Sequence, residues 1–554
     1  MILLPFALMT ALTSLPAPRS NLKESLTLKA LYSNPAAEEI LGEPLIRVGI
    51  VQDKTQIRLR SAAPILIRYT TNGVRKESHI PAHTLTTLTA KTKADQSYRY
   101  HLIVERFPAN ALKKARDSIE KWRKRGFLNV TEQLRGKRIK SPQQTFDQRT
   151  RQILIPTESM AEARLFKKKL QKEYRINTQL RSETDSLPDG TIEIRTPQGH
   201  IASASNIVQI SSAKGNLPIE VLGVEFGRGY AWHGHQNRSY KGKLVISIAD
   251  QDTLNLTNIL PIETMLRGIL PAEIYANAHP QALEAQAIAA RSHILANLGH
   301  KHGLDPYDIC SAQHCQVFTG SGQEQTQSNA AIARTRGMLL SKDNKLINAV
   351  YSSTCGGFTE ANHAVWAGPK QNALKAKADY PLRLKKKHHD VQQGLSESQV
   401  KHWVQSPARS YCAQSKYSKS EKLRWQRHFN QEALQNIISE AIPKLGEVLA
   451  LQVSARGPGG RVSKMQIQGT TGVSTLYEPL AIRQLFKNLP SAAFYVQTTY
   501  DAKKRIKRVS FLGAGWGHGV GLCQLGAMGR AEQGQSHTEI LRHYFNDAAI
   551  RTMY

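Results

Sequence analysis

Glu273 lies in the segment LPAE (residues 270–273), two residues after Pro271. A proline and an acid can open a helical turn, so a capping role is one interpretation. The other is a general acid held beside a buried arginine, and Arg291, further along the chain, is the candidate cation. Burial raises the pKa of a carboxyl, whereas a neighbouring cation lowers it. The residue types therefore predict either a cap or a proton donor whose pKa these two effects set.

Glycine occupies every second position from 513 to 521, in the sequence GAGWGHGVG. If this stretch is extended, alternate side chains share a face, and one face carries Ala514, Trp516, His518 and Val520. A sugar ring could then stack on Trp516 while His518 donates a hydrogen bond to it. A flexible loop with one aromatic anchor is an alternative, as is a tightly packed strand in which glycine avoids clashes. The GxGxG spacing disfavours a dinucleotide fingerprint.

The chain has five cysteines: Cys310, Cys315, Cys355, Cys412 and Cys523. Cys310, His314 and Cys315 are close enough in sequence to bind a metal ion, and His302 could supply a fourth ligand. Disulfide bonds and free thiols are the alternatives, and Cys355 and Cys523 could pair with each other or with this cluster. The odd number leaves at least one cysteine unpaired within a monomer if the others bridge.

A long helix is predicted over residues 281–298, which are rich in Ala, Leu, Gln and Glu. Pro280 suits its first turn and Gly299 suits its end. Small side chains near one face would let another segment approach closely: Ala282, Ala285 and Ala289. We expect this helix to pack back against the segment that carries Glu273.

The sequence predicts a multidomain α+β fold. Short alternating runs within residues 43–70 indicate a small β module over 40–96. From about residue 217, glycine-punctuated strands and long helical segments follow. They predict a C-terminal domain over 217–554 with a helical core, β-strands and a polar helical insertion around 385–445.

A strand–helix pattern occurs twice between these two regions: Tyr98–Glu105 with Ala109–Arg125, then Gln152–Pro156 with Ser159–Tyr174. The repetition predicts a βαβ-type duplicated module over 97–215. Its arrangement resembles the SPOR domain, a peptidoglycan-binding module of bacterial envelope proteins. An unrelated α/β linker domain is the alternative.

Charge and the N-terminal segment bear on partners and location. The 554 residues carry a formal net charge of +32, which favours association with polyanions. Anionic wall polymer or a membrane surface fits this charge; zinc-finger spacing and a basic helix leading into heptads are missing from the sequence, so no specific nucleic acid is predicted. Residues 1–20 form an apolar segment that resembles the core of a secretion signal, although a basic start is missing. We therefore expect an extracytoplasmic protein.

Four ordered blocks carry a closer resemblance: LPAEIYANAHPQALEAQAIAARSHILAN, CSAQHCQVFTG, YSSTCGGFTE and GWGHGVGLCQLGA. In this order they resemble the SpoIID/LytB family, the stage II sporulation protein D family. The resemblance covers roughly residues 217–554.

The family implies a lytic transglycosylase that cleaves peptide-free peptidoglycan strands between MurNAc and GlcNAc and leaves a 1,6-anhydro product. The family's catalytic glutamate corresponds to Glu273 and its helix arginine to Arg291, so both are predicted catalytic residues. We expect substrate to be bound by Trp516, His518, Gln524 and Gln316. Arg291, His518 and Gln524 could instead orient Glu273. The reaction requires no cofactor, but some relatives are zinc-containing, which permits a zinc site at Cys310, His314 and Cys315. Other family members enhance a separate N-acetylmuramoyl-L-alanine amidase, so a non-catalytic wall-binding protein with an amidase partner is the alternative.

Overall fold

A computed structural model describes residues 27–32, 39–174, 176, 178–229, 232–302, 305–366, 368–381 and 391–554. The signal-like segment predicted at 1–20 lies outside the described residues. Helices and several separate sheets confirm the predicted multidomain α+β class. Among the helices in the described ranges, none combines the length and the apolar character that crossing a membrane requires.

Two large sheets share one buried core. The seven-stranded sheet has the order β20-β2-β19-β18-β15-β4-β5, and the six-stranded sheet has the order β14-β13-β6-β3-β16-β17. The first consists of β2 (Leu45–Lys54), β4 (Ile65–Thr71), β5 (Val74–Ile80), β15 (Ile207–Ser212), β18 (Lys243–Ile248), β19 (Leu254–Pro261) and β20 (Ile309–Cys310). The second consists of β3 (Gln56–Arg60), β6 (Thr86–Ala94), β13 (Asp189–Thr196), β14 (Gly199–Ser205), β16 (Ile219–Phe226) and β17 (Gly234–Tyr240). Strands such as β3 bury every second residue, as expected of a sheet with one face on the core.

The strand pairing crosses the domain boundaries predicted at 96 and 217. β2 pairs with β19, β4 with β15, β3 with β16, and β6 with β13. The strands between 45 and 94 thus depend on partners from 189–261. The physical reason is that hairpins alone cannot cover an apolar face.

Residues 97–186 form a module with two helices and four strands in the order β12-β7-β11-β8, each antiparallel to its neighbour. Its elements are β7 (Ser97–Pro108), α2 (Leu112–Lys124), β8 (Thr131–Arg135), β11 (Thr150–Thr157), α3 (Met160–Tyr174) and β12 (Gln179–Ser186). Its core contains Trp122, Ile153 and Leu170. The chain leaves this module at Ser186 rather than at 215, and its likeness to the SPOR domain stays a prediction. Between β8 and β11 the chain forms β9 (Arg138–Lys140) and β10 (Thr145–Asp147), which make a small separate sheet with β1 (Glu39–Leu41).

A buried helix, α5, forms the centre of the C-terminal half and contacts the other helices of this region. It begins at Pro280 and ends at Asn297, and Gly299 beyond it has a φ of 75°, close to the predicted bounds. These helices are α4 (Ile262–Glu273), α5 (Pro280–Asn297), α6 (Thr326–Arg334), α13 (Gln524–Glu532) and α14 (His537–Tyr544). A three-stranded sheet also packs against α5. It consists of β21 (Met338–Lys342), β22 (Lys345–Leu346) and β31 (Ala549–Thr552).

A second lobe with its own core spans residues 424–514. Its two three-stranded sheets have the orders β24-β29-β28 and β25-β26-β27. The elements are β24 (Arg424–Asn430), α11 (Gln431–Ala441), β25 (Val448–Arg456), β26 (Val462–Gly469), β27 (Gly472–Tyr477), α12 (Pro479–Leu485), β28 (Phe494–Tyr500) and β29 (Ile506–Ala514). The predicted insertion around 385–445 is therefore only partly helical, because β24 runs through it and pairs with β29.

Short elements complete the described chain. They are α1 (Leu28–Tyr32), β23 (Tyr351–Ser352), α7 (Asn362–Val365), a 3-10 turn (Val391–Gln393), α8 (Glu397–Gln405), α9 (Tyr411–Gln414), α10 (Ser420–Leu423) and β30 (Leu522–Cys523). β23 and β30 pair in parallel, with Tyr351 opposite Leu522 and Ser352 opposite Cys523. This pair joins the chain around Tyr351 to the start of α13.

Candidate active site

Glu273 is the last residue of α4, so the LPAE segment ends a helix instead of opening one. Pro271 stands inside the last turn, and the chain continues in an extended conformation from Ile274. Glu273 thereby reaches an open cleft of about 220 Å³. The cleft is lined by Pro271, Ala272, Glu273, Ile274, Tyr275, Ser353, Lys422, Gln524, Leu525 and Met528. The capping interpretation of Glu273 is wrong, because this residue stands at the carboxyl end of its helix.

Two glutamines hold Glu273 in place. The side-chain amide of Gln316 donates to Glu273 Oε1 at 2.9 Å, and the hydroxyl of Tyr351 donates to the amide oxygen of the same glutamine. The amide of Gln524 donates to the backbone carbonyl of Glu273, also at 2.9 Å. Gln316 is only 3% exposed, so its contacts point to positioning the acid and not to direct binding of sugar.

Burial raises the pKa of Glu273 to about 7. Hydrogen bonds from Gln524, the backbone of Val317 and Gln316 each lower it, but burial outweighs them. Near neutral pH the carboxyl is therefore divided between its protonated and ionised forms. Such a group can donate a proton in one step and accept one in the next.

Arg291 lies in a different place from the one predicted. It is fully buried and pairs with Glu263, its Nε 2.9 Å from Oε1 and its Nη2 2.7 Å from Oε2. A third bond runs from Nη1 to the carbonyl of Met338 at 3.1 Å, and the Tyr554 hydroxyl donates to the same carboxylate. The prediction that Arg291 pairs with Glu273 is wrong. The physical reason is that Glu263, in the first turn of α4, already accepts the hydrogen bonds of the guanidinium in the core.

The glycine run does not form the predicted extended strand. β29 ends at Ala514, and the next four glycines have positive φ values between 70° and 98°: Gly515, Gly517, Gly519 and Gly521. Side chains therefore do not alternate between two faces. We call residues 515–521 the glycine loop. Its glycines permit both the left-handed backbone and close packing, because a Cβ on Gly519 would overlap the Arg461 guanidinium.

Trp516 and His518 differ in what they can offer a ligand. Trp516 is 37% exposed, and the Lys422 ammonium lies 5.9 Å from its ring centroid. Lys422 also lines the Glu273 cleft, so it connects the tryptophan with the acid.

His518 offers no free ring nitrogen. Its Nδ1 accepts a hydrogen bond from Val520 N–H at 3.0 Å, and the ring also bonds to the backbone of Tyr351. Burial lowers its pKa to about 3, which keeps the ring neutral. The prediction that His518 donates a hydrogen bond to a sugar therefore does not fit its contacts. Its ring packs 4.9 Å from that of Trp366, which is 40% exposed.

The residue-type arguments missed Tyr351, which bonds to Gln316, and the lining residues Ser353 and Lys422. Tyr351 and Ser353 lie in the YSSTCGGFTE block, whose pattern alone does not distinguish its polar residues from one another. Lys422 belongs to the polar segment interpreted as an insertion. Only the fold brings it next to Trp516.

Four side chains meet as candidate metal ligands: His302, Cys310, His314 and Cys315. Their ligand atoms all lie within 4.8 Å of one another. His302 Nε2 is 3.1 Å from Cys315 Sγ, and His314 Nδ1 is 3.6 Å from the same sulfur. His302 Nδ1 also hydrogen-bonds to Asp305 at 2.6 Å, the outer partner that metal-bound histidines usually have. The donor set fits a closed four-ligand zinc site.

Fold and cleft together define a multidomain α+β protein in which one carboxyl of raised pKa faces an open groove near a half-exposed tryptophan. Comparison with known proteins narrows this class. Residues 250–341 match the family described as "Stage II sporulation protein", and residues 360–521 match a "Domain of unknown function (DUF8618)".

Several curated proteins are similar to the chain. The amidase enhancer of Bacillus subtilis (strain 168) is 26% identical over 295 residues, which are 50% of this chain and 39% of that protein. Stage II sporulation protein D of Bacillus amyloliquefaciens is 25% identical over 305 residues, 52% of this chain and 74% of that protein. An uncharacterized protein of Brachyspira hyodysenteriae is 25% identical over 311 residues, 56% and 72% of the two chains. The match thus spans about two fifths of the amidase enhancer and about three quarters of the other two.

These matches support the resemblance to the SpoIID/LytB family that the four sequence blocks carry. The similarity therefore links the chain to proteins named for sporulation and for amidase enhancement.

Proposed function

We propose that the protein is a lytic transglycosylase that cleaves peptide-free glycan strands of peptidoglycan between MurNAc and GlcNAc. The supporting observation is the lone carboxyl of Glu273, which has a pKa of about 7 in an open cleft. Ordinary glycosidases place two carboxylates beside the bond they break. Among the described residues that line this cleft, Glu273 is the only acid.

A single carboxyl suffices for an intramolecular reaction. The protonated Glu273 donates its proton to the bridging oxygen, and the bond from that oxygen to C1 of the muramyl unit breaks. The resulting carboxylate then takes the proton of the C6 hydroxyl of the same sugar, whose oxygen bonds to C1. The product is a 1,6-anhydro sugar, and Glu273 ends protonated as it began. A pKa near 7 suits a group that must both give and take a proton.

Gln316, Gln524 and Tyr351 act as positioning residues in this proposal. The glutamines hold the carboxylate and the backbone of Glu273, and Tyr351 fixes the orientation of the Gln316 amide. Trp516 offers an exposed ring on which a sugar can stack, and Lys422 lies between that ring and the acid. A strand bound across Lys422 would contact the tryptophan and Glu273 together.

We further propose that zinc occupies the cluster of His302, Cys310, His314 and Cys315. A zinc ion with four protein ligands is structural, since no position stays open for water. Cys315 directly precedes Gln316, which donates to Glu273. The metal would therefore fix the segment that positions the acid.

Purified full-length protein incubated with peptide-free glycan strands tests the proposed activity. We expect anhydro-muramyl products by mass spectrometry, with less product as the pH rises above 7 because the acid loses its proton. Glu273→Gln should lower the rate by about 10²- to 10⁴-fold, the usual contribution of a general acid. The matched control is Glu421→Gln, an exposed acid next to Lys422, which should cleave like wild type. Cleavage that survives Glu273→Gln would show that another group is the acid.

Enhancement of an amidase is the second candidate, favoured by the similarity to the amidase enhancer of Bacillus subtilis. In this case the protein acts extracytoplasmically as a wall-binding partner and cuts nothing itself. An assay with an added N-acetylmuramoyl-L-alanine amidase separates the two. Equal stimulation by wild type and Glu273→Gln, without anhydro product from either, would favour enhancement over cleavage.

A further inference from the structure

Three buried cysteines from separate segments meet around one aspartate, apart from the cluster at His302. Cys355, Cys412, Cys523 and Asp379 are each at most 1% exposed, and their ligand atoms lie within 4.8 Å of one another. All three thiols are free. We call these four residues the trithiol cluster.

The spacing suits metal ligation. The sulfurs of Cys355 and Cys412 are 3.9 Å apart. Two thiolates on a tetrahedral zinc ion, each with a zinc–sulfur bond of about 2.3 Å, stand about 3.8 Å apart. The sulfurs therefore need to move little to share an ion.

Backbone N–H groups point at two of the three sulfurs. Cys523 Sγ accepts hydrogen bonds from the backbone N–H of Cys355 at 3.1 Å and of Gly526 at 3.2 Å. The second of these bonds caps the N-terminus of α13, where the helix dipole stabilises negative charge. Cys355 Sγ accepts a further bond from Gly357 N–H at 3.4 Å. The buried Arg461, which donates to the carbonyl of Cys355 at 3.2 Å, adds a cation nearby.

Hydrogen bonds fix the carboxylate of Asp379 in the way that outer partners fix a metal-binding carboxylate. Its Oδ1 accepts two bonds from Arg530, at 2.7 and 3.1 Å, and its Oδ2 accepts one from the Tyr544 hydroxyl at 2.9 Å. Oδ2 also receives the Cys355 thiol at 3.4 Å. When that thiol loses its proton, Oδ2 can turn to a metal ion while Arg530 and Tyr544 remain as outer partners.

We propose that Cys355, Cys412, Cys523 and Asp379 form a second metal centre, which takes a thiophilic divalent cation of which zinc is the first candidate. Binding forms three metal–sulfur bonds and one metal–oxygen bond and releases the three thiol protons to solvent. One disulfide would use two of the sulfurs and leave the third unused, so a metal accounts for the convergence better.

The centre would support the candidate active site. Cys523 directly precedes Gln524, which holds the backbone of Glu273, and pairs with Ser352 beside Tyr351. A metal ion at this point would tie together the loop of Cys355, helix α9 and the start of α13. Its role is thus structural, and it does not depend on which reaction the cleft performs.

Metal content of the purified full-length chain tests the centre. Elemental analysis should find two zinc ions per chain if the cluster at His302 is also filled, and one if it is not. Cys523→Ser should bind one ion fewer in either case, and the serine hydroxyl keeps the helix cap, so the variant should fold. The matched control is Ser410→Ala, which removes the hydroxyl 3.0 Å from Cys412 Sγ but no ligand, and it should keep the wild-type content. Cys315→Ser reports on the other cluster alone.

Unchanged metal content in folded Cys523→Ser would overturn the proposal, as would a mass two hydrogens lower that shows a disulfide among these cysteines. If Cys523→Ser does not fold, cobalt substitution in Cys310→Ser/Cys315→Ser decides. This variant leaves only the trithiol cluster to supply thiolates, and we expect it to keep an intense sulfur-to-cobalt absorption. Loss of that absorption would equally reject the centre.

Discussion

Glu273 combines a buried carboxyl with a position at the edge of solvent. Its glutamine partners supply hydrogen bonds without supplying positive charge, so burial decides its pKa. Arg291, which would have kept the acid ionised, is occupied by Glu263 in the core. At the residue scale, therefore, Glu263 and Glu273 stand apart on one helix. Glu263 pairs with Arg291, and Glu273 can retain a proton.

Replacing Glu273 by Gln should change how stability depends on pH. The pKa of Glu273 rises from 4.5 to about 7 on folding, so between these values the folded state holds a proton that the unfolded state releases. The free energy of unfolding of wild type must then fall as the pH rises from about 4.5 to 7. Glu273→Gln lacks this loss and should be more stable than wild type by about 1–3 kcal/mol at pH 8 and by much less at pH 4. Urea unfolding at several pH values measures this difference.

The exposed Glu421→Gln variant is the control for that series and should show no comparable trend. A gain from Glu273→Gln that is the same at pH 4 and pH 8 would mean that burial does not raise the pKa.

Breaking the Arg291–Glu263 pair should destabilise the protein without touching the cleft. Arg291→Met leaves a buried carboxylate without its partner, which typically costs about 3–5 kcal/mol. The double variant Arg291→Met/Glu263→Leu removes both charges and should recover most of that loss. Thermal unfolding of the three proteins gives the comparison, and a double variant as unstable as the single one would contradict it.

The glycine loop works at the scale of an element. Gly519→Ala places a methyl group against the Arg461 guanidinium at a φ of 76°, so it combines backbone strain with a clash. Gly534 has a φ of 83° but open space around it, so Gly534→Ala carries the strain alone. We expect Gly534→Ala to cost about 1–2 kcal/mol and Gly519→Ala to cost about 1–3 kcal/mol more. If chemical denaturation gives the two variants equal losses in the free energy of unfolding, the Arg461 side chain moves aside without cost.

The elements differ in how far sequence could predict them. Helix α5 was predicted to within a residue at each end because Pro280 and Gly299 mark its limits chemically. The glycine loop was not, because glycine at every second position fits both a strand and a chain of left-handed turns. LPAE was assigned to the wrong end of a helix, since a proline within the last turn gives the same local pattern as one within the first.

For the candidate site, the sequence singled out Glu273 and its two glutamines, and the structure brings them together. It could not indicate Lys422 or the partner of Arg291, because those contacts depend on which distant segments fold against each other.

At the scale of the whole molecule, the net charge of +32 should govern adhesion to the wall. We expect the full chain to bind cell walls that carry anionic polymer and to be released as salt rises from about 0.05 to 0.5 M, because salt screens exposed charges. Walls stripped of anionic polymer are the control and should bind less at low salt. Sedimentation with the walls measures the bound fraction, and binding that ignores both salt and polymer would assign adhesion to the cleft or to the 97–186 module instead.

Strand pairing at this scale also lay beyond prediction from sequence. The local pattern of residues 45–94 predicts strands, but it does not indicate that these strands pair with strands in residues 189–261. Pairing partners are chosen by which edges and apolar faces meet in the finished fold.

Strand β2 illustrates what such pairing means for biosynthesis. Its neighbours in the sheet are β19 and β20. Its backbone groups therefore have no strand partner until the ribosome has added roughly 200 more residues. At about 5–20 residues per second that interval lasts on the order of 10–40 s. Throughout it, the nascent N-terminal strands present unsatisfied edges while the 97–186 module can already close upon itself. We therefore expect chaperones that recognise unpaired apolar strands to bind the emerging chain until β19 has been synthesised.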